Sequence, residues 1–317
     1  MQNKSVADEY QLSPQQARIW SLQQAGGSQT YRAQSAILIE GEVDVERLRG
    51  AIAVVTNRHE ILRANFHLLP GMAVPLQVIE SHQVMAFQEI VICDCEPHER
   101  LGRVEEFFQE ETKSGFDIER GPAARFYLFT LSASEKILVT SLPSICADSR
   151  SLKNLFREIA DAYAARPQAE ETTCQPVQYV DFTEWQKEIL EQIDDGGASL
   201  SWQRIDSSSS PLMLNLECEI KPLLEFKPDR VSLTVDAETI TGIDRLCSAY
   251  QVSADVLLLA CWQLLAWRLT DQKDITIENL CEGRSMEELV EAIGAYACFC
   301  PVRSHFEPDY QLLKGLR

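Results

Sequence analysis

The chain has 317 residues, 45% of them hydrophobic and 24% charged, the composition of an ordinary globular protein long enough for two cores. Forty-eight acidic against 29 basic residues give a formal net charge of −19, a field that repels nucleic acid and anionic lipid and otherwise serves solubility. The first ten residues, Met1-Gln-Asn-Lys-Ser-Val-Ala-Asp-Glu-Tyr10, are polar and carry no hydrophobic signal, so a cytoplasmic setting is expected for the ten cysteines.

Residues 14–24 predict an entry helix with Ile19 and Leu22 on one side, ended by the polar stretch around Gly26-Gly27-Ser28. A strand is expected over 35–40, and Asp44 then caps a helix whose Leu48, Ile52 and Val55 recur at helical spacing. Short strands are expected over 61–67, 74–79 and 86–91, followed by a helix bearing Leu101, Val104 and Phe108 after Pro97. Residues 124–131 and 137–142 predict a hairpin around the polar turn Ser132-Ala-Ser-Glu135. Leu152, Leu155, Phe156, Ile159 and Tyr163 mark a strongly amphipathic helix, and the first lobe closes near Trp185. The pattern breaks over 193–230, where Asp194-Asp-Gly-Gly197 and Ser207-Ser-Ser-Ser-Pro211 read as a linker. Beyond it come a strand over 231–235, helices over 237–250 and 253–269, and a strand over 275–280. The run 256–267 is the most apolar in the chain yet too short for a membrane span, and is expected to be a buried core helix. Strands and helices in this order imply an α/β fold of two lobes, 1–192 and 231–317, each a sheet covered by helices.

One junction stands out. The apolar run 136–140 feeds into Ser141-Leu-Pro-Ser-Ile-Cys-Ala-Asp-Ser-Arg150, and the amphipathic helix follows at once. A helix N-terminus offers unpaired N–H groups, and the turn before it can expose a side chain. Within the segment Cys146 is the reactive-capable atom; the helix N-terminus would lower its pKa, whereas alternation along the turn points it into the core. A nucleophilic Ser144 needs a histidine, and the five are His59, His67, His82, His98 and His305. Cys93 with Cys95, and Cys298 with Cys300, form C-x-C pairs that put both thiols on one face of a strand. The spacing is not a usual zinc pattern, so they read as small buried hydrophobes and no metal is expected.

The segment resembles the signature of condensation domains of nonribosomal peptide synthetases, in which two histidines, three variable residues, an aspartate and a glycine fill the places of Pro143 to Ser149. Further segments match in order: Leu12-Ser-Pro-Gln-Gln-Ala-Arg-Ile-Trp20, Arg58-His-Glu-Ile-Leu-Arg-Ala-Asn-Phe66, Phe116-Asp-Ile-Glu-Arg-Gly-Pro-Ala-Ala-Arg125 and Gln178-Tyr-Val-Asp-Phe-Thr-Glu-Trp-Gln186. Glu282-Gly-Arg284, Ile293-Gly294 and Pro301-Val-Arg303 resemble the second-lobe motif. The resemblance implies two chloramphenicol-acetyltransferase-like lobes in a V arrangement with a tunnel between them, the second lobe incomplete in this chain. It implies upstream and downstream carrier proteins that bring substrates on phosphopantetheine arms, adjacent synthetase domains, and no cofactor held by the domain itself.

The resemblance also assigns residues. Pro143 and Ser144 stand in place of the histidines, and heterocyclization relatives carry an aspartate where this chain has Pro143. Asp148 is retained and is expected to pair with Arg63, both as structural support, with His59, Glu60 and Pro143 in the same role. Cys146, Gly283 and Arg284 are tunnel candidates, a surface role for the last two being the alternative. Ser144 is a poor base that could hold a substrate by hydrogen bonding, and losing a general base costs about two to four orders of magnitude. Two functions follow. One is a divergent condensation enzyme that joins carrier-bound acyl or aminoacyl groups by positioning. The other is an inactive platform that binds carriers or recruits a tailoring enzyme. A free-standing acyltransferase using coenzyme A shares the fold but needs the same histidine.

Overall fold

The computed structural model describes residues 9–26, 31–81, 85–92, 96–121, 123–165, 176–194 and 231–307. By contact the chain divides into two compact units, Met1–Asp195 with Glu282–Cys298, and Gly196–Cys281 with Phe299–Arg317. Glu282–Cys298, expected in the second lobe, therefore packs with the first. The expected linker lies outside the described residues beyond position 194.

The first unit is built on a four-stranded sheet. Its strands are β2 (Arg32–Glu40), β5 (Ala86–Val91), β6 (Arg125–Thr130) and β7 (Glu135–Pro143), in the order β2-β7-β6-β5. β7 runs antiparallel to both β2 and β6, whereas β5 lies parallel to β6. A parallel neighbour needs a crossover, and helix α3 (Pro97–Lys113) supplies it. Strand β7 is buried from Lys136 to Pro143, as a central strand covered on both faces must be.

Each face has its own apolar layer. On one, α2 (Val45–Arg58) and α4 (Ser149–Ala164) bury Leu48, Ile52, Val55, Leu152, Leu155 and Ile159 against Phe126, Leu128, Leu138 and Leu142. On the other, α3 brings Val104, Phe107 and Phe108 to Phe129, Ile137 and Val139. Asp44 starts α2 as expected, its carboxylate accepting from Arg47 N at 3.0 Å. A smaller sheet joins β1 (Glu9–Tyr10), β4 (Leu76–Ile79) and β3 (Ala64–His67). Residues 61–63, expected in the third strand, instead belong to a 3-10 turn, Glu60–Arg63, that buries Ile61 and Leu62 before the strand begins. Helix α1 (Pro14–Gly26) follows β1 in the chain, and α5 (Tyr179–Asp194) is the last described helix before the chain enters the second unit.

The second unit holds α6 (Ala237–Tyr250), α7 (Ala254–Thr270), and the ribbon of β8 (Asp274–Cys281) and β9 (Cys298–His305). The strand expected over 231–235 does not form: these residues pair with no described neighbour, and Val231 and Leu233 are exposed. The most apolar helix is not a fully buried one either. α7 buries Leu257, Gln263, Ala266 and Trp267, but Leu258, Trp262, Leu265 and Leu269 face outward. Trp267 stacks on Phe306, and Gln263 donates to Val302 O at 3.0 Å and accepts from Ser304 at 2.9 Å, so this polar residue fastens the helix to β9. Among the described residues no single helix is long and apolar enough to cross a membrane.

Candidate functional site

Strand β7 ends at Pro143, whose register partner is Arg32 at the start of β2. A tight turn follows, closed by Cys146 N donating to Pro143 O at 2.9 Å. Two further bonds fix it: Ser144 N donates to Tyr31 O at 3.1 Å, and Gln16 Nε2 of α1 donates to Ile145 O at 3.1 Å. Gln16 is itself buried and bonded to Gln77 at 2.8 Å and to Ser13 N at 3.0 Å. Within the turn Ile145, Cys146 and Ala147 are buried, which leaves Ser144 as the partly exposed residue.

Cys146 is part of the core, and burial pushes its thiol far above the ordinary value, the reverse of what a helix N-terminus would do if the thiol faced it. The Ser144 hydroxyl has no hydrogen-bond partner among the described residues, and none of the described histidines serves it. His59 is buried and bonded through Nε2 to both Glu158 oxygens at 2.9 Å, and His305 contacts Asp274 in the second unit. His67 lies on β3 and His98 is exposed on α3. His82, and the pair Cys93 and Cys95, fall outside the described residues.

Asp148 is the N-cap of α4, and its carboxylate is saturated. Oδ1 accepts from Ser151 N and Ser151 Oγ, both at 2.8 Å, and from Arg284 Nη2 at 3.0 Å. Oδ2 accepts from Arg284 Nη1 at 2.8 Å, Tyr296 N at 3.1 Å and Ala297 N at 3.0 Å. The bidentate Arg284 pair is the geometry in which an ion pair is strongest, and the arginine side chain is 1% exposed. Arg284 also donates to Ser151 Oγ and the Ala292 carbonyl, with its guanidinium over the Tyr296 ring at 4.5 Å.

The expected Arg63–Asp148 pair is not formed. Arg63 ends the 3-10 turn beside the β3–β4 hairpin and spends its guanidinium on the Glu80 carbonyl, while Glu80 N donates back to Arg63 O at 3.1 Å. Asp148, as a cap, points at the first turn of α4, and Glu282–Cys298 lies against that turn and supplies the arginine. Close approach explains Gly283: φ is +67°, and a Cβ there would sit 1.9 Å from the Tyr296 carbonyl oxygen. Gly294 is similarly constrained, since a Cβ would lie 2.0 Å from the Tyr179 ring. Of the three tunnel candidates, then, Cys146 is sealed in the core, Gly283 makes the close contact and Arg284 has both Nη groups engaged.

Sequence reasoning missed the rest of this cage. Ser151 Oγ accepts from Gly294 N at 3.0 Å and lies 2.7 Å from Gly294 O, which competes with Asp148 for its single proton, and Asn154 donates to the Val290 and Ala292 carbonyls. Tyr179 OH donates to Ala295 O at 2.9 Å and meets Ser13 Oγ at 2.7 Å, with burial pushing its pKa well up. The available signal was polar residues on the apolar stripe of α4, namely Ser151 and Asn154, and the presence of Gln16 and Tyr179 inside matched motifs.

On the opposite face of the sheet a second polar cluster braces β7. Arg32 and Arg125 both donate to Glu111 Oε1 at 3.0 Å, Arg32 reaches Ser141 Oγ at 3.1 Å, and both guanidiniums lie over Phe116. Tyr127 donates to Glu111 Oε2 at 3.0 Å; burial first, and the Glu111 carboxylate second, push its pKa up to about 12.

A mixed sheet with helices on both faces is consistent with the chloramphenicol-acetyltransferase-like fold that the resemblance implies. The chain belongs to the condensation domain family, whose model matches residues 6–317. It is similar to tyrocidine synthase 3 of Brevibacillus parabrevis, with 28% identity over 301 residues, covering 93% of this chain and 4% of that synthase. The chain thus spans a small part of the length of the synthetases it matches. Among solved structures it resembles the condensation domain of the monacolin K polyketide synthase MokA, with a TM-score of 0.81, 21% identity, and coverage of 99% of this chain and 71% of that one. The X-domain from teicoplanin biosynthesis, solved in complex with OxyB, is also similar, with a TM-score of 0.75, 21% identity, and coverage of all of this chain and 70% of that one.

Proposed function

We propose that this domain brings together carrier-tethered acyl or aminoacyl thioesters and promotes amide-bond formation by positioning, with no base of its own in the signature turn. The single observation behind this reading is the turn itself: Ser144 is reachable and has no described histidine beside it, while Asp148 is consumed by six structural hydrogen bonds. In the reaction an amine nitrogen attacks the thioester carbonyl carbon, the C–S bond breaks, and the amine proton ends on the departing thiol. Ser144 Oγ can accept a hydrogen bond from the amine or donate one to the carbonyl oxygen. It cannot carry the proton away at neutral pH. Holding the two groups in contact supplies the larger part of the acceleration. The phosphopantetheine arms belong to the carriers, and the neighbouring synthetase domains supply them.

The absence of a titratable group at Ser144 also supports a second reading, a non-catalytic platform for carriers or a tailoring enzyme. The experiment that separates the two loads upstream and downstream carriers with substrates, adds the domain, and follows product by intact mass. Transfer above the carrier-only background supports the first reading; tight carrier binding without transfer supports the second. Ser144→Ala is expected to slow transfer about tenfold, the worth of one hydrogen bond. Ser144→His is expected to raise it by about two to four orders of magnitude if the turn lacks only a base. Transfer unchanged in both variants would remove Ser144 from the reaction.

A further inference from the structure

The C-x-C pair at the start of β9 is not absorbed by the function. His305 and Arg303 both contact Asp274, and Phe306 N donates to Lys273 O at 2.7 Å, so β8 and β9 run antiparallel. The last residue of β8, Cys281, therefore lies beside the first residues of β9, Cys298 and Cys300. Alternation along a strand puts positions 279, 281, 298 and 300 on one face of the ribbon. The thiols of Cys281 and Cys300 come within hydrogen-bonding reach of each other, both are half-buried, and neither is in a disulfide. Asn279 donates to Cys281 Sγ at 3.7 Å, which holds that thiol on the same face. Among the described residues no three His, Cys, Asp or Glu side chains are placed to hold a metal, so proximity of these thiols points to sulfur chemistry.

The chain between the two thiols is the segment that cages the signature aspartate. Residues 282–299 carry Arg284, Tyr296 and Ala297, which supply four of the six hydrogen bonds to Asp148. We propose that Cys281 and Cys300 form a reversible disulfide that closes this loop at its stem and so tightens the hold on Asp148. The oxidant is a low-molecular-weight disulfide such as oxidised glutathione. One protein thiolate attacks a glutathione sulfur and releases one glutathione thiolate. The second protein thiolate then attacks the mixed disulfide, forming the Cys281–Cys300 bond and releasing the other glutathione. Two protein thiols are oxidised, and one oxidised glutathione is reduced to two molecules of glutathione. Closing a loop of this size removes freedom from the opened state, so the gain appears as slower opening of the enclosed segment.

The test needs no variant for its first part. The full chain is equilibrated with oxidised glutathione, acid-quenched, alkylated and digested, and disulfide-linked peptides are mapped by mass. The expected product joins Cys281 to Cys300. A dominant Cys281–Cys298 link, an intermolecular link, or glutathione adducts without a protein disulfide would overturn the proposal. In the second part, hydrogen exchange at Tyr296 and Ala297 is compared between the oxidised and reduced chain. Slowing of about tenfold or more is expected on oxidation, and absent in Cys300→Ser. Equal rates in the oxidised and reduced protein would refute the effect on the Asp148 cage, whatever the transfer activity of the domain.

Discussion

Arg284 and Arg63 divide the labour that the motif pattern assigned to one of them. Arg284 is buried and bidentate on Asp148, so Arg284→Ala leaves a carboxylate in the interior with only backbone and serine donors; such losses cost about 3–5 kcal/mol. Arg63→Ala removes one donor from a carbonyl, and about 1 kcal/mol is expected. Urea titration of the two variants checks the order, and equal midpoints would contradict the larger contribution of Arg284. Gly283→Ala adds a methyl group where the Tyr296 carbonyl already stands and strains a positive φ, so it is expected to destabilise at least as much as Arg284→Ala. Asp148 was legible in the sequence as a preserved aspartate, and its cap position follows from the helix behind it. Its partner was not legible, because the arginine arrives from 136 residues away and two arginines in matched motifs compete for one carboxylate.

At the scale of elements, α2 and α4 are held together by more than their apolar stripes. His59 closes α2 and meets both carboxylate oxygens of Glu158 of α4, and Arg58 donates to Oε2 at 3.1 Å. Burial alone would raise the Glu158 pKa, but the His59 hydrogen bond and charge, with Arg58, outweigh it and hold the carboxyl below its usual range. A depressed folded pKa gives stability that is present above the unfolded value of about 4.3 and is lost as pH falls through the folded one. Glu158→Gln is therefore expected to lower stability at neutral pH while leaving the acid end nearly unchanged, which flattens the acid limb of a stability-against-pH curve. A curve of unchanged shape would show that the pair does not report on folding. The helical stripes of α2 and α4 and the apolar run of β7 were readable because local period and propensity agree with burial there. Residues 231–235 have the same alternation and form no strand, since a strand needs a neighbour to pair with and alternation cannot specify one.

Across the whole molecule the two units differ in how much they bury. α6 has no buried residue and α7 exposes Trp262 at 61%, whereas α4 buries six residues of its sixteen. Hydrogen exchange is accordingly expected to be orders of magnitude faster through 237–250 than through the core of α4 and β7. Peptide-level exchange of the chain measures this, and equal protection in α6 and α4 would contradict it. Sequence alone settled the α/β class, the order of most elements and the family, because each of these is written in local pattern or residue identity. Tertiary structure alone decided that Glu282–Cys298 joins the first unit, that Arg284 rather than Arg63 holds Asp148, that Cys146 is sealed, and that Cys281 lies beside Cys300. Those are contacts between distant segments, and they depend on which segment the packed chain delivers to each buried group, which no local pattern specifies.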